Sequence, residues 1–360
     1  MRIYRNFFDN ITSLENLFSA WDEFKKGKRA RADVEEFEPD LEPNLFELHR
    51  ELRNGTYRHG PYTGFFFADP KRRHVHKATV RDRILHHAVF SILNPLFEPT
   101  FIPHSFSCRI GKGNHKGVEA VSTMLRKESK NDKVACYVLK CDIRKFFDNI
   151  DHETLISILS KRIRDERTVK LLRELIEGYK TELAVVNERE RERERERVLG
   201  ASRRKGIPIG NLTSQLFANV YMNEFDQFVK HVLKVKFYAR YTDDFIIISQ
   251  NPEYLSRLLK PIQDFIGNVL YLNLHPEKIA IRKYSHGIDF LGYVILPHYR
   301  LIRKRTWKRM LRKFRAKMRD CKQGGISTDS LNQSLQSYLG LLSHANAYEL
   351  EEFLKNQQLF

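Results

Sequence analysis

Residues 238–249 read YARYTDDFIIIS. Aromatic and β-branched residues flank Thr242, Asp243 and Asp244, the pattern of two strands joined by a tight turn. Phe245, Ile246, Ile247 and Ile248 follow without a polar break, so the second strand is expected to be buried on both faces. Two adjacent carboxylates are thereby held at the end of an interior element. On a solvated turn that is harmless. Beside a core it is unfavourable, because burial and like charge both oppose ionisation, and a cation is needed to offset them.

A third acid has the same setting. VACYVLKCDI, 134–143, is a short, almost continuously apolar run closing on Asp142, which reads as a buried strand with a carboxylate at its C-terminal end. Placed side by side in one sheet, the two segments bring Asp142, Asp243 and Asp244 together. Oxygen-only donors suit Mg²⁺, which takes one or two protein carboxylates and completes its shell with water and substrate phosphates. Two such ions, ~4 Å apart, stabilise the attacking and leaving oxygens of a phosphoryl transfer. The chain also carries 63 Lys and Arg and a net charge of +18, which suits a polyanionic partner. Nucleotidyl transfer on nucleic acid is the reaction these features point to.

The remaining sequence bounds this reading. Its 360 residues, 41% of them hydrophobic, can bury a sizeable core. The start, MRIYRNFFDNITS, lacks the apolar segment of a secretion signal. No apolar run reaches the ~18 residues of a spanning helix, so a cytoplasmic location without a membrane partner is expected. Cys108, Cys136, Cys141 and Cys321 form no C-x-x-C pair and are expected to be free thiols. The pairs His74/His76 and His86/His87 have basic neighbours and are expected on the surface or against RNA.

Elements follow from periodicity. Ser13 caps a helix with Leu14, Leu17, Phe18, Trp21 and Phe24 on one face. Residues 62–76, YTGFFFADPKRRHVH, read as two strands around a basic turn. DRILHHAVFSILNPLF predicts a helix ending at Pro95, and PEYLSRLLKPIQDFIGNVL one interrupted at Pro261. GIDFLGYVIL, 287–296, predicts a strand pair. ERERERERER, 188–197, is the one low-complexity segment; its charges cancel, and it reads as a solvated insertion. From Arg303 to Lys322 there are eleven Lys and Arg and one acid, around a helical stripe of Trp307, Met310, Leu311, Phe314 and Met318. So one-sided a charge favours phosphate contact.

On these residues the chain resembles the reverse transcriptases. YTDD on a hairpin resembles their catalytic motif, and CDIRKFFDNID (141–151) their first metal-binding motif. HPEKIAI (275–281) and GIDFLGYVI (287–295) resemble the two that follow. SFSCRIGKGNHKGVEAV (105–121) resembles a fingers motif, and SYLGLLSHANAY (337–348) the thumb of bacterial retroelement enzymes. The motifs stand in family order over about residues 60–350. The resemblance implies an α+β right-hand polymerase with fingers, a palm built on an antiparallel sheet, and a helical thumb. It divides the chain into a helical extension (1–60), fingers (61–135), palm (136–178), charged insertion (179–205), palm again (206–299) and basic thumb (300–360).

The resemblance also implies roles. Asp142 and Asp243 would hold two Mg²⁺ ions, for which Mn²⁺ can substitute, with Asp244 assisting and the Ile143 carbonyl as a further ligand. Lys278 would protonate the leaving pyrophosphate. Phe147 matches the bulky position that excludes a ribose 2′-OH. Lys71 and Arg73 match cations on the incoming dNTP, with Arg109 a second candidate. Ile209, Gly210 and Gln215 would line the nascent pair. Tyr241, Lys304, Arg305, Lys308 and Arg312 would meet primer and template. The partners implied are a template or noncoding RNA, an RNA–DNA duplex and dNTPs; the oligomeric state is not implied.

One motif departs from the common pattern. Most family members carry Gln-Gly and then Ser-Pro where this chain has IGNLTSQ (209–215), with Ile209 for the Gln and Gln215 for the Pro. This form is similar to the enzymes of diversity-generating retroelements. Those copy a template-repeat RNA with errors at adenines and work with a small basic accessory protein. An apolar Ile209 lacks the hydrogen bonds of a Gln amide, consistent with looser checking of the base pair. Antiphage defence-associated reverse transcriptases also diverge here. An inactive RNA-binding scaffold is a third reading, opposed by the presence of all three acids.

Overall fold

The computed structural model describes residues 6–68, 72–179 and 204–357. Lys71 and the 188–197 repeat lie outside these. The chain forms two compact units, one from residues 1–102, 143–232 and 262–274, the other from 103–142, 233–261 and 275–360.

The first unit is mostly helical. Ser13 Oγ accepts the Asn16 N–H at 3.2 Å and starts the helix Leu14–Lys25, whose Leu17, Trp21 and Phe24 are buried. That helix packs on the long helix Val80–Phe97, which also carries the helix Leu212–Gln227. Val80–Phe97 starts on Thr79, whose side chain accepts the Asp82 N–H. It does not stop at Pro95: Leu93, Leu96 and Phe97 are all buried, and that packing carries the last turn past the proline. Strands β1 (Thr63–Ala68) and β2 (Arg72–Lys77) pair antiparallel, with Phe65 opposite Val75 and Phe67 opposite Arg73.

The second unit is built on a sheet of β3 (Tyr137–Asp142), β4 (Phe237–Tyr241), β5 (Asp244–Ser249) and β6 (Ala280–Lys283) in the order β4-β5-β3-β6, all antiparallel. One sheet face joins Val118, Val121 and Leu125 of the helix Asn114–Glu128 and Phe290 in a single core. GIDFLGYVIL forms β7 (Ile288–Phe290) and β8 (Tyr293–Ile295), as expected. A third strand that the sequence did not signal, β9 (Arg300–Ile302), completes their sheet. After it, the helices Lys304–Lys322, Thr328–Leu342 and Tyr348–Gln357 enclose Met310, Phe314, Leu335, Leu342 and Leu354.

The helix Pro252–Asn268 runs through Pro261 without a break, contrary to expectation. Its start is capped by Asn251 Oδ1, which accepts the Glu253 and Tyr254 N–H groups at 2.8 and 3.0 Å. Leu255, Leu258, Ile262 and Ile266 keep one buried stripe on both sides of the proline, and this packing offsets the missing N–H. Among the described residues no helix is long and apolar enough to cross a membrane, and all four cysteines are free.

Candidate active site

The hairpin of β4 and β5 closes on the pair Tyr241–Asp244, leaving Thr242 and Asp243 as the turn. Thr242 has φ 55°, a left-handed conformation that a β-branched residue keeps only when its surroundings impose it. Arg240 does so. It is 0% exposed, yet its Nη1 donates to the Thr242 carbonyl at 2.9 Å and its Nη2 to Ser105 Oγ at 3.0 Å. Thr242 Oγ1 donates to Ser107 Oγ at 2.6 Å. Residues 104–106 run along β4, the Arg240 N–H reaching His104 O at 2.9 Å and the Phe106 N–H reaching Arg240 O at 3.0 Å. Arg109 donates from Nη1 to Ser105 O at 2.8 Å, so its guanidinium braces this same segment. Tyr241 packs on the sheet's core, and burial raises its hydroxyl pKa.

Next to β5 lies β3, with Asp142 directly opposite Asp244. Strand alternation puts Val138, Lys140 and Asp142 on the same face as Asp244, Ile246 and Ile248. That face is apolar at one end, where Val138, Ala239, Ile246 and Ile248 join the core, and anionic at the turn. Two ammonium groups reach the acids. Lys278 Nζ donates to Asp142 Oδ1 at 2.6 Å, and Lys140 Nζ lies 3.2 Å from Asp244 Oδ2. Asp244 Oδ1 is buried with no hydrogen-bond partner.

Neither ammonium pairs with Asp243. Burial first, and then the charge of Asp142, pushes its carboxyl up to about 6. Burial raises Asp244 as well, against the pull of Lys140. Burial, then the charges of Asp244 and Asp142, pushes the Cys141 thiol up to about 12.

The donor set fits a hard divalent cation. Asp243 is half-buried and makes no ion pair with either lysine, Asp244 keeps an orphaned oxygen, and Asp142 stands opposite Asp244. Among the described residues no three His, Cys, Asp or Glu side chains converge into a ready-made metal cage. Mg²⁺ does not require one, since it retains waters and binds through one or two carboxylates plus substrate phosphates. Ile143 faces Leu274 across a bridge flanked by the Arg144 N–H to Asn273 O and the His275 N–H to Asp142 O bonds. That ladder leaves the Ile143 carbonyl unused.

Phe147, Arg73, Ile209, Gly210 and Gln215 belong to the first unit. Phe147 is half-buried, its ring edge-on to Phe146 at 5.3 Å. The Ile209 carbonyl accepts the His76 N–H at 3.4 Å. Gly210 has φ +135°, and a Cβ there would lie 3.2 Å from His76 O. The loop is therefore laid against β2, the strand that carries Arg73. Gln215 is exposed in the first turn of Leu212–Gln227.

Beneath this loop is a buried polar cluster that sequence reading missed. Asn211 Nδ2 lies 2.8 Å from His86 Nε2 and donates to Tyr62 Oη at 2.9 Å, while Thr213 Oγ1 lies 2.7 Å from His86 Nδ1. Burial, then His59 and His87, holds His86 well below the ordinary histidine range. The expectation of surface histidines is corrected here: His86 and His76 are 2% and 7% exposed. The signal available was the position of His86 on the inward face of an apolar helix.

On the helix Lys304–Lys322, Lys304, Arg305, Lys308 and Arg312 are all exposed, and Met310 and Phe314 face the core.

Residues 68–295 match the family described as reverse transcriptase (RNA-dependent DNA polymerase), and the chain belongs to that family. It is an RNA-directed DNA polymerase of the α+β, right-hand class. Among curated proteins it is similar to Protein YkfC of Escherichia coli, 24% identical, covering 72% of this chain and 71% of that one. It is likewise similar to the group II intron-encoded protein LtrA of Lactococcus lactis subsp. cremoris, 25% identical, covering 71% of this chain and 50% of that protein. The chain thus spans about half the length of the latter. A solved structure of apo telomerase from Candida tropicalis, truncated from its C-terminal domain, aligns over 68% of this chain and 56% of that one, with a TM-score of 0.47 and 12% identity.

Proposed function

We propose that the protein makes cDNA from a dedicated RNA template by two-metal nucleotidyl transfer, as the error-prone polymerase of a diversity-generating retroelement. The observation that supports the chemistry is the pairing of Asp142 with Asp244 across adjacent strands, with Asp243 half-buried at the turn and its carboxyl pushed up by desolvation and by Asp142. In this reading Asp142, Asp243 and the Ile143 carbonyl hold two divalent ions, with Asp244 assisting. When bound, the ions supply charge stabilisation for the attacking and leaving oxygens.

The chain's own groups do the rest. Lys278, already hydrogen-bonded to Asp142, holds a proton for the departing pyrophosphate. Lys71 and Arg73 bind the triphosphate, with Arg109 supporting the turn from Ser105. Phe147 excludes a 2′-hydroxyl, Ile209 and Gly210 border the nascent pair with Gln215, and Tyr241 packs beside the primer end. Lys304, Arg305, Lys308 and Arg312 follow the phosphates of an RNA–DNA duplex. The domain limits implied by the motifs, a cytoplasmic location and a small basic accessory protein belong to the same proposal.

The subtype rests on IGNLTSQ. Primer extension by the purified protein on a primed RNA template, with Mg²⁺ or Mn²⁺, tests both levels. The expected result is cDNA that Asp243→Asn abolishes, with errors concentrated opposite template adenines. Extension with uniform fidelity at all four bases removes the diversifying role, and phage protection lost with Asp243→Asn assigns a defence role instead. No extension with either metal leaves only an RNA-binding scaffold.

A further inference from the structure

The sheet face that carries the acids also carries a lysine that the polymerase chemistry does not require. Lys140 stands two residues before Asp142 on β3, opposite Ile246, between the apolar core and the carboxylates. A lysine there must desolvate its ammonium unless acceptors are provided. They are. Nζ donates to the Asp289 carbonyl at 2.9 Å, pairs with Asp244 Oδ2 at 3.2 Å, and lies 5.9 Å from the centroid of the Phe290 ring. Asp289 is fixed in turn, because its Oδ1 takes the Arg303 guanidinium. Asp244 is thus tethered, through Lys140, to the strand Ile288–Phe290 and to the residue that opens the basic helix.

The three acids are therefore unequal. Asp142 meets Lys278, which ends the short turn Pro276–Lys278 before β6 and is 37% exposed at its side chain, whereas Lys140 is 27% exposed and Asp244 22%. Lys278 is held by one carboxylate; Lys140 is held by a carboxylate, a carbonyl and a ring. The first can leave its partner, and the second is locked.

We propose that Lys140 is a positioning residue for polymerisation: it holds Asp244 Oδ2 as the anchor of the turn and so confines that carboxylate to an assisting part, through its free Oδ1, in holding divalent ions. The inference rests on the polymerase reading and adds to it the residue that holds Asp244 in its assisting place. It has an unusual consequence. Removing the Lys140 charge makes the site more anionic, so divalent ions bind more tightly, while the turn loses its anchor and the reaction slows. A merely structural lysine would weaken both.

The test compares wild type, Lys140→Met, Lys140→Arg, Asp244→Asn and the double variant Lys140→Met/Asp244→Asn, with Mn²⁺ binding followed by electron paramagnetic resonance and primer extension followed in parallel. Lys140→Met is expected to bind Mn²⁺ on the order of fivefold more tightly, with kcat at least tenfold lower and KM for dNTP within about twofold. Lys140→Arg restores most of kcat. The double variant is no slower than the slower single one, because both act through one contact. Melting curves establish that each variant is folded. Wild-type kcat in Lys140→Met, or weakened Mn²⁺ binding with additive losses in the double variant, overturns the proposal. If wild type neither binds Mn²⁺ nor extends a primer, the polymerase reading fails, and this proposal fails with it.

Discussion

Replacing Arg240 by Met tests how the turn of Thr242 and Asp243 is held. The guanidinium is fully buried and donates to Thr242 O at 2.9 Å and Ser105 Oγ at 3.0 Å. Hydrogen bonds from a charged donor contribute about 1.5–3 kcal/mol each. Met keeps most of the aliphatic volume, so the cavity term is small. The two lost bonds together predict a destabilisation of about 4 kcal/mol, read as a lower urea midpoint at unchanged slope. Function should suffer more than stability. Thr242, at φ 55°, stores roughly 1–2 kcal/mol of conformational strain, and without the guanidinium it relaxes, moving Asp243 with it. A displacement near 1 Å at a reacting centre costs about a hundredfold in rate, so primer extension should fall by roughly that factor at temperatures where the variant is folded. Arg240→Met with a urea midpoint and extension rate equal to wild type would refute the reasoning.

Three further outcomes are expected. His86 is neutral and buried, and its folded pKa lies below the unfolded value, so the unfolded chain takes up more protons on acidification. Stability should be fully present above about pH 6.5 and decline below it, and His86→Gln should reduce that slope by about one proton's worth, ~1.4 kcal/mol per pH unit. Phe147→Ala should admit ribonucleotides in single-turnover incorporation assays; unchanged sugar selectivity would remove Phe147 from that role. Neutralising Lys304, Arg305, Lys308 and Arg312 together should lower the salt slope of duplex binding by about four contacts on the scale of ~0.7–0.9 per phosphate, measured by fluorescence anisotropy across a salt series.

How much of this was legible beforehand depended on the range of the interaction. The β4–β5 hairpin, the strand ending in Asp142 and the apolar stripe under the basic helix follow from periodicities of two and 3.6, and the structure has them where the sequence placed them. The prolines were misjudged for one reason. Pro95 and Pro261 each remove one N–H, a local and countable loss, whereas the burial that carries each helix past its proline involves Leu93, Leu96 and Phe97 in one case and Leu258, Ile262 and Ile266 in the other. His86 was misjudged similarly, since its partners Asn211 and Thr213 lie more than a hundred residues away.

The site itself shows a sharper asymmetry. Asp142, Asp243 and Asp244 stand out because a carboxylate beside an apolar run is anomalous wherever it occurs. Lys140 and Arg240 occupy equally anomalous positions, one in YVLKCD and the other in FYARY, yet in a chain with 63 Lys and Arg a cation draws no notice. The physical criterion is the same for both signs. A strand buried on both faces tolerates a charge only where an opposite charge or a set of dipoles is waiting. Arg240 meets the Thr242 carbonyl and the Ser105 hydroxyl, and Lys140 meets Asp244. The basic residues that carry information about this site therefore include the two inside its strands, besides Lys278 on Asp142.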